Sequence, residues 1–571
     1  MRPSGLSAAV RVGAIFGVVA VYLSLVGLVE TFKGRWIVSD TLGLGQAMLL
    51  ITAVAAGYTA ARRGGPGALG AVSAGSVAGL LSGAALSVLL LVGAGINLRA
   101  MFVNASPGLY SLLTFDQDLG PGIGLLLLTG AAFGICGALL HLAPPGVRGI
   151  LLAGLSAALI LSLFQDLLQL LLQGPGLPQA VRGFLFDIDG PSLRGAATVT
   201  VLTLALTAWW RARGAHVRTR IAALPPAGRR GLRWSVIALG VICLLLVPVA
   251  GGPFVAHVMV FVGLYTLMGL GLNLEVGFAG LLDLGFVAFF AIGAYTVGLL
   301  TSRGEYGLVH FSFWAAVPFA VIVSLISGVI FGIPVLRVRG DYLAIATLGL
   351  GEIVRILVLS DALRPWLGGS FGILAIPKPV IAGLELSGPR ELYYLALAAS
   401  ALVAFVAWRL QYSRLGRAWA AIREDEDVAQ AIGIDLVITK LLAYGLGAVF
   451  AGIGGAIFAV MVGSIFPHSF QLLISINVLV LIILGGMGSL WGVVVGAVVL
   501  VGLPELLREF GEYRFLVYGA VLVAMMLRRP EGLVPSAVRQ RELHEGVEET
   551  LGEAVAAPAG SIAGAGGPVG G

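Results

Sequence analysis

Apolar residues recur along this chain in long runs rather than at the short periods of a water-soluble fold. A run of about 20 largely apolar residues is the length at which an α-helix crosses the hydrocarbon core of a bilayer. Six such runs precede residue 212, at about 12–29, 43–60, 68–97, 121–142, 149–173 and 194–210. Six more follow at about 234–251, 255–273, 278–300, 312–335, 341–359 and 391–410, and four at about 441–463, 470–486, 489–505 and 514–527. The pattern predicts an all-α, polytopic integral membrane protein with about sixteen transmembrane or re-entrant helices. The segments 278–300 and 341–359 have polar or Gly-rich starts, which marks them as candidates for broken or re-entrant helices.

Arginines give the direction of these segments. With the N-terminus inside, Arg62 and Arg63, then Arg148, then the stretch from Arg211 to Arg233, then Arg337 and Arg339 and finally Arg528 and Arg529 all fall on the cytoplasmic side. That is the positive-inside bias, and an even number of crossings leaves both termini inside. The Arg-rich stretch 211–233 contains Leu224-Pro225-Pro226-Ala227-Gly228 and is the clearest linker. The expected organisation is therefore a six-helix membrane block over 1–233, a second membrane region over 234–535, and a tail over 536–571 whose Glu, Ala and Gly content reads as disordered. The first apolar run follows Arg2 and Arg11 like a signal peptide, but Glu30-Thr31-Phe32-Lys33 is not a small-residue cleavage site, so a retained anchor is expected.

Composition agrees with the pattern. Of 571 residues, 58% are hydrophobic, 11% are charged and 83 are Gly, and mean hydropathy is +1.00. So little charge leaves too few polar residues to coat a soluble globule, whereas small residues suit helices that approach closely in lipid. Net charge is +6, but the basic residues are not interleaved with aromatics as a nucleic-acid groove requires. Cys136 and Cys243 lie buried in apolar runs, which offers neither a disulfide framework nor a C-x-x-C metal site.

Several chemistries are excluded. A P-loop needs Gly-Lys, and Lys33, Lys378 and Lys440 follow Phe32, Pro377 and Thr439. The six histidines never fall four apart around a Glu, so no zincin-like site exists. Gly368-Gly369-Ser370-Phe371-Gly372 matches the nucleophile-elbow pattern, but no strand precedes it and Gly is abundant enough for a chance match. No catalytic or metal site is expected.

The informative positions are charges inside apolar runs, each costing about 2.5–3.5 kcal/mol at a helix centre. They are Asp166, Glu275, Asp283, Glu352 and Arg355. Glu352 and Arg355 are three apart and can pair on one helical face, either as a structural ion pair or as a gate or substrate contact. Asp283 opens the Gly-flanked stretch 280–285 and is either structural or placed where a broken helix meets water. Asp283, Glu352 and Arg355 are the candidate pore or gate residues. From 443, small residues recur at spacing four (Ala443, Gly447, Ala451, Gly455), a ridge for close helix packing.

Between the apolar runs ending near 410 and starting near 441 lies a polar loop, 412–440, with Ala418, Ala421, Ile422, Val428, Ala429 and Ile432 at helical spacing, interrupted by Asp425. A short amphipathic helix is expected, with its apolar stripe buried in a groove of a partner. Acidic residues at 424–427 disfavour anionic lipid, so the partner is expected to be protein.

This loop resembles the cytoplasmic coupling loop of ABC-transporter permeases, whose E-A-A followed after three residues by Gly is matched by Asp427-Val428-Ala429 and Gly433. Stretches 280–296 (GLLDLGFVAFFAIGAYT), 334–356 (PVLRVRGDYLAIATLGLGEIVRI), 416–435, 484–497 (LGGMGSLWGVVVGA) and 528–535 (RRPEGLVP) resemble the LivM-type permease of branched-chain amino acid ABC transporters, collinearly from about 255 to 536. The resemblance implies a permease core in a bacterial inner membrane, carrying leucine, isoleucine, valine or a related small solute. It implies four kinds of contact: a second homologous permease, two cytoplasmic ABC ATPases, an extracytoplasmic solute-binding protein and the lipid bilayer. It further implies no cofactor on this chain, ATP-Mg on the partner ATPase, and an ATPase-coupling loop at Gly416, Arg417, Ala418, Arg423, Glu424, Asp427, Ala429 and Gly433. Urea or short-amide transport and an ion-coupled secondary transporter are the alternative readings. Residues 1–233 fall outside the resemblance and carry no second coupling loop, so they do not read as a fused second permease.

Overall fold

The computed structural model describes residues 5–38, 42–63, 67–165, 168–169, 179–187, 190–222, 226–335, 338, 340–506, 514–529 and 531–536. Asp166, Leu224, Pro225, Arg337, Arg339 and nearly all of the C-terminal tail lie outside them. Among the described residues the chain is helical except for turns, loops and two short ribbons, Trp36–Val38 with Leu42–Gly43 and Val380–Ile381 with Leu384–Glu385. Among the described residues eleven helices are long and apolar enough to cross a membrane, and three shorter apolar ones are Ala238–Ala250, Val287–Thr301 and Leu490–Glu505. Contacts divide the chain into two units, Met1–Leu244 with Leu506–Arg514 and Leu245–Glu505 with Phe515–Gly571.

In the first unit α1 (Gly5–Val26), α2 (Leu44–Arg63), α3 (Ala68–Gly95) and α4 (Leu119–Leu142) pack on one another, and α5 (Pro145–Leu163) packs on α6 (Leu193–Ala222). The close approach is set by glycine: a Cβ on Gly57 would stand 2.0 Å from the Gly134 carbonyl oxygen, and one on Gly79 2.2 Å from that of Gly130. Such contacts replace the hydrophobic drive that is absent between helices in lipid. Large apolar side chains such as Val18, Leu91 and Leu128 point outward, as lipid-facing positions do. Helix α7 (Pro226–Ala250) follows, and with α6 it runs into the Arg-rich stretch read as a linker. Both cysteines are free thiols on exposed faces. The apolar runs that suggested they were buried are apolar toward lipid as well as toward protein.

The second unit is organised around α15 (Leu436–Val462), whose apolar window is 78% buried. It packs against α8 (Gly252–Leu272), α9 (Val287–Thr301) and α10 (Phe313–Val335), while α8 also packs on α12 (Pro389–Gln411) and α16 (Leu472–Gly485). The small-residue ridge makes this possible. Gly455 lies so close to α9 that a Cβ would meet the Phe290 carbonyl oxygen at 1.9 Å, and a Cβ on Gly293 would meet that of Gly452 at 2.2 Å. At the C-terminal end of α15, Lys378 Nζ donates to the carbonyls of Val460 at 2.7 Å and Met461 at 2.8 Å. Those otherwise unpaired carbonyls are thereby satisfied, and partial burial lowers the Lys378 ammonium from its ordinary value, with Glu385 opposing. Helix α11 (Asp341–Leu359) runs without a break over its own length, and the irregular backbone lies just before it, where Gly340 adopts φ +62°. The remaining elements are α13 (Arg414–Glu424), α14 (Glu426–Ala431), α17 (Leu490–Leu506) and α18 (Arg514–Arg528).

Candidate functional site

The loop between α12 and α15 is built by three side-chain caps. Ser413 Oγ accepts from Gly416 N at 3.2 Å and starts α13. Asp425, extended at φ −157° and ψ 116°, accepts from Asp427 N at 2.9 Å and Val428 N at 3.0 Å and starts α14. Asp435 accepts from Ile438 N at 3.0 Å and starts α15. Each satisfies amides that the first helical turn leaves unpaired. The single amphipathic helix expected here is thus two helices hinged at Asp425.

Splitting the helix changes which side chains are buried. On α13 the inner face is Gly416, Trp419 and Ile422, and on α14 it is Ala429. Trp419 is fully buried, and its indole Nε1 donates to the Thr439 carbonyl at 2.8 Å, tying α13 to the first turn of α15. Lys440 Nζ meets Glu426 Oε1 at 2.5 Å and ties α14 to the same turn. Val428 and Ile432, expected in the stripe that a partner covers, are 57% and 69% exposed on this chain, and Val437 and Ile438 at the start of α15 are 62% and 59% exposed. Gly433 at φ +91° ends α14: its amide donates to Gln430 O at 3.0 Å, and the Ile434 amide donates to Ala429 O at 3.1 Å. That pair of bonds is a Schellman closure, which needs a left-handed residue.

The expected coupling residues therefore separate by role. Gly416 is buried, and a Cβ there would stand 2.3 Å from Gln411 O. Ala429 is fully buried and Ala418 partly so. Arg417, Glu424, Asp427 and Gly433 are exposed. Arg423 turns inward, and its Nη1 donates to the Gly277 carbonyl at 2.6 Å. Its Cγ would lie 3.1 Å from a Cβ on Gly280, which adopts φ +73°. Gly488 completes the joint by donating its amide to Asn273 Oδ1 at 2.9 Å.

Gly277 belongs to a π-helical turn, Asn273–Phe278, that ends α8. After it the chain runs without regular helix over 279–286 before α9 begins, so the segment 278–300 is broken at its start. The freed backbone amides are met one by one. Leu281 N donates to Glu275 O at 2.8 Å, Leu284 N to Thr347 Oγ1 at 2.9 Å, Gly285 N to Asp283 Oδ1 at 2.6 Å and Val287 N to Ser475 Oγ at 2.9 Å. Asp283 is 1% exposed and Glu275 fully buried, a setting that agrees with the structural one of the two readings of Asp283. The carboxyl groups of the two are neighbours, with Tyr444 of α15 and Thr347 of α11 beside Asp283.

Glu352 and Arg355 form the expected pair on α11, with Arg355 Nε 3.0 Å from both carboxylate oxygens. Both are partly exposed, and no hydrogen bond or ion pair joins them to Asp283 among the described residues. Arg355 lines a small cavity with Tyr295 and Phe470. A larger apolar cavity of about 300 Å³ adjoins it, walled by Tyr295, Phe331, Val354, Leu357 and Leu367. Ser370 of the nucleophile-elbow match sits exposed in a 3₁₀ turn after a short helix, not after a strand. No group of His, Cys, Asp and Glu among the described residues has the arrangement of a metal site.

Sequence reasoning missed Trp419, Glu426 and Lys440. Trp419 had a signal, a large aromatic three residues before Ile422, but the Glu426–Lys440 contact crosses a helix end and has no periodic signature.

Residues 254–526 match the family model described as branched-chain amino acid transport system / permease component. The chain is 44% identical over 306 residues to the high-affinity branched-chain amino acid transport system permease protein LivM of Salmonella typhimurium, covering 50% of this chain and 70% of that protein. It is 23% identical over 325 residues to a probable LivM permease of Methanocaldococcus jannaschii, covering 49% and 93%. It is 31% identical over 141 residues to the LivH permease of Escherichia coli, covering 24% and 44%. No solved structure matches.

Proposed function

Because this chain belongs to the family of branched-chain amino acid transport permeases, we propose that it is the membrane-spanning subunit of an ATP-driven importer that carries leucine, isoleucine, valine or a related small solute across the cell membrane. The chain is a transport component and not an enzyme. In this reading ATP is bound and hydrolysed with Mg on two separate cytoplasmic ATPases, a second homologous permease completes the pore, and an extracytoplasmic binding protein delivers the solute.

The observation that carries the reading is the docked α13–α14 segment. Its inner face is fixed by Trp419, Lys440 and Arg423, while Val428 and Ile432 are exposed on its outer side, as are Val437 and Ile438 in the first turn of α15. Exposed apolar side chains on a segment that also exposes Arg417, Glu424 and Asp427 suit a protein groove. Force applied to that segment reaches the end of α8 through Arg423 and Gly277, which supports Arg423 as the mechanical link. Asp427 and Gly433 are proposed to lie at the ATPase contact. Purification in mild detergent tests the assignment. A P-loop ATPase is expected to accompany the chain, and uptake that follows an ion gradient with no ATPase present would overturn it.

A further inference from the structure

The helix break holds two buried acids, Glu275 and Asp283, to which the proposed transport cycle assigns no role. Glu275 and Asp283 are 0% and 1% exposed, and their carboxyl groups adjoin. One oxygen of Asp283 accepts the Gly285 amide. The other, and both oxygens of Glu275, have no hydrogen-bond donor positioned on them. The Tyr444 hydroxyl beside them, on a residue 1% exposed, is also unsatisfied, as is Nδ2 of Asn273, the fully buried residue that opens the same π turn. The Glu275 carboxyl reaches its place only because position 447 is glycine, since a Cβ there would overlap Oε1 at 1.9 Å.

The groups facing this pair from each packed element do not neutralise it. From α15 come Tyr444 and, one turn earlier, Lys440, whose ammonium is bonded to Glu426. From α11 comes Thr347, whose hydroxyl donates to Ala344 O at 3.0 Å. From α16 comes Ser475, held by the Val287 amide. From α13 comes Arg423, bonded to the Gly277 carbonyl. No cation is bonded to either carboxylate among the described residues. Adjacent buried carboxylates cannot both ionise in a low-dielectric setting, because desolvation and like-charge repulsion both favour the neutral acid. A neutral carboxyl also supplies the O–H donor that the second carboxylate and the Tyr444 oxygen lack.

We propose that Glu275 and Asp283 form a proton-binding site at the break between α8 and α9, the pair holding at least one proton at neutral pH beside the Tyr444 hydroxyl. The site is joined to the coupling segment. Gly277, which Arg423 holds, lies two residues from Glu275, and Gly488 holds Asn273 on the other side. Movement of α13 therefore moves the turn that carries the proton site, and proton occupancy responds to the position of that helix.

A hydrophobic carbodiimide tests this on the full-length chain in native membranes. A protonated carboxyl adds across the reagent's C=N bond, its proton passing to nitrogen, and rearrangement leaves a stable N-acylurea that mass spectrometry locates; a carboxylate does not react. Labelling of Glu275 or Asp283 is expected at pH 7, falling several-fold at pH 9 and absent from the Glu275→Gln, Asp283→Asn double variant. Absence of labelling on both residues at pH 7 overturns the proposal. So does protection by sodium ions at constant pH, which would make this a cation site. A second readout removes dependence on reagent access. Glu275→Gln copies the protonated form, so it is expected to insert and to unfold at the same or higher temperature than the native chain, with the difference widening as pH rises from 6 toward 9, because the folded pair keeps a proton that the unfolded chain has released and Gln has none to lose. Parallel unfolding temperatures across that range would contradict the site. Neither readout involves solute, ATP or a partner, so failure here leaves the importer assignment standing.

Discussion

Replacing Arg423 with Gln tests the link between the coupling segment and the helix break. Arg423 Nη1 lies 2.6 Å from the Gly277 carbonyl, and Gly277 is buried, so the substitution removes a charge-assisted bond to a carbonyl that water does not reach. Such a bond contributes about 1.5–3 kcal/mol, which corresponds to roughly a 10- to 140-fold change in the ratio of docked to undocked α13. The aliphatic stem beneath Gly280 is partly kept by Gln, so the loss falls on the guanidinium. In proteoliposomes carrying the complete importer, ATP hydrolysis should continue while solute moved per ATP falls by about an order of magnitude. Arg423→Lys keeps the charge without the planar fork and should be intermediate. Thermal unfolding of each variant in detergent separates folding from coupling. A Gln variant that folds, assembles and transports with the native stoichiometry would refute the mechanical link.

Four further outcomes follow from the same contacts. Gly455→Ala places a Cβ 1.9 Å from a backbone oxygen of α9 and should lower stability by about 1–3 kcal/mol or more; Gly454→Ala meets only contacts at 3.6 Å and should be neutral or stabilising by about 0.4–1 kcal/mol, both read by thermal unfolding. Trp419→Phe keeps the buried ring but leaves the Thr439 carbonyl without its indole donor, and should cost about 1 kcal/mol in the same assay. Ile432→Glu, at a side chain 69% exposed, should leave unfolding unchanged and weaken ATPase co-purification. Gly433→Asn should fold and couple nearly as the native chain because Asn tolerates a left-handed backbone, whereas Gly433→Val should lower stability from strain alone. The Asn variant is therefore the cleaner probe of the interface at that position.

Long-period hydrophobicity made the helical architecture legible, because each apolar run is close to the length a bilayer demands. The break before α9 was visible as well, since Gly280 and Gly285 flank Asp283 in an otherwise apolar segment. What periodicity could not carry was contact across breaks. Glu275 and Asp283 are joined by a π turn and irregular backbone, so no helical spacing relates them. Asp425 was read as an interruption of one helix, although an Asp whose side chain can accept the next two or three amides is a strong start signal for a second. Apolar spacing placed Val428 and Ile432 in one stripe with Ile422 and Ala429, but with the hinge at Asp425 this chain buries only the latter two and leaves Val428 and Ile432 exposed. Gly447 was readable as part of a packing ridge, but that it makes room for a carboxyl group became apparent only with α8 and α15 side by side.

Uptake of labelled leucine into proteoliposomes tests the central claim most directly, with the chain reconstituted beside its partner permease, the ATPases and the binding protein. The account predicts accumulation that requires ATP on the ATPase side and the binding protein on the opposite side, and that persists when ion gradients are collapsed. Accumulation that runs without ATP and stops on collapse of a proton or sodium gradient would contradict it.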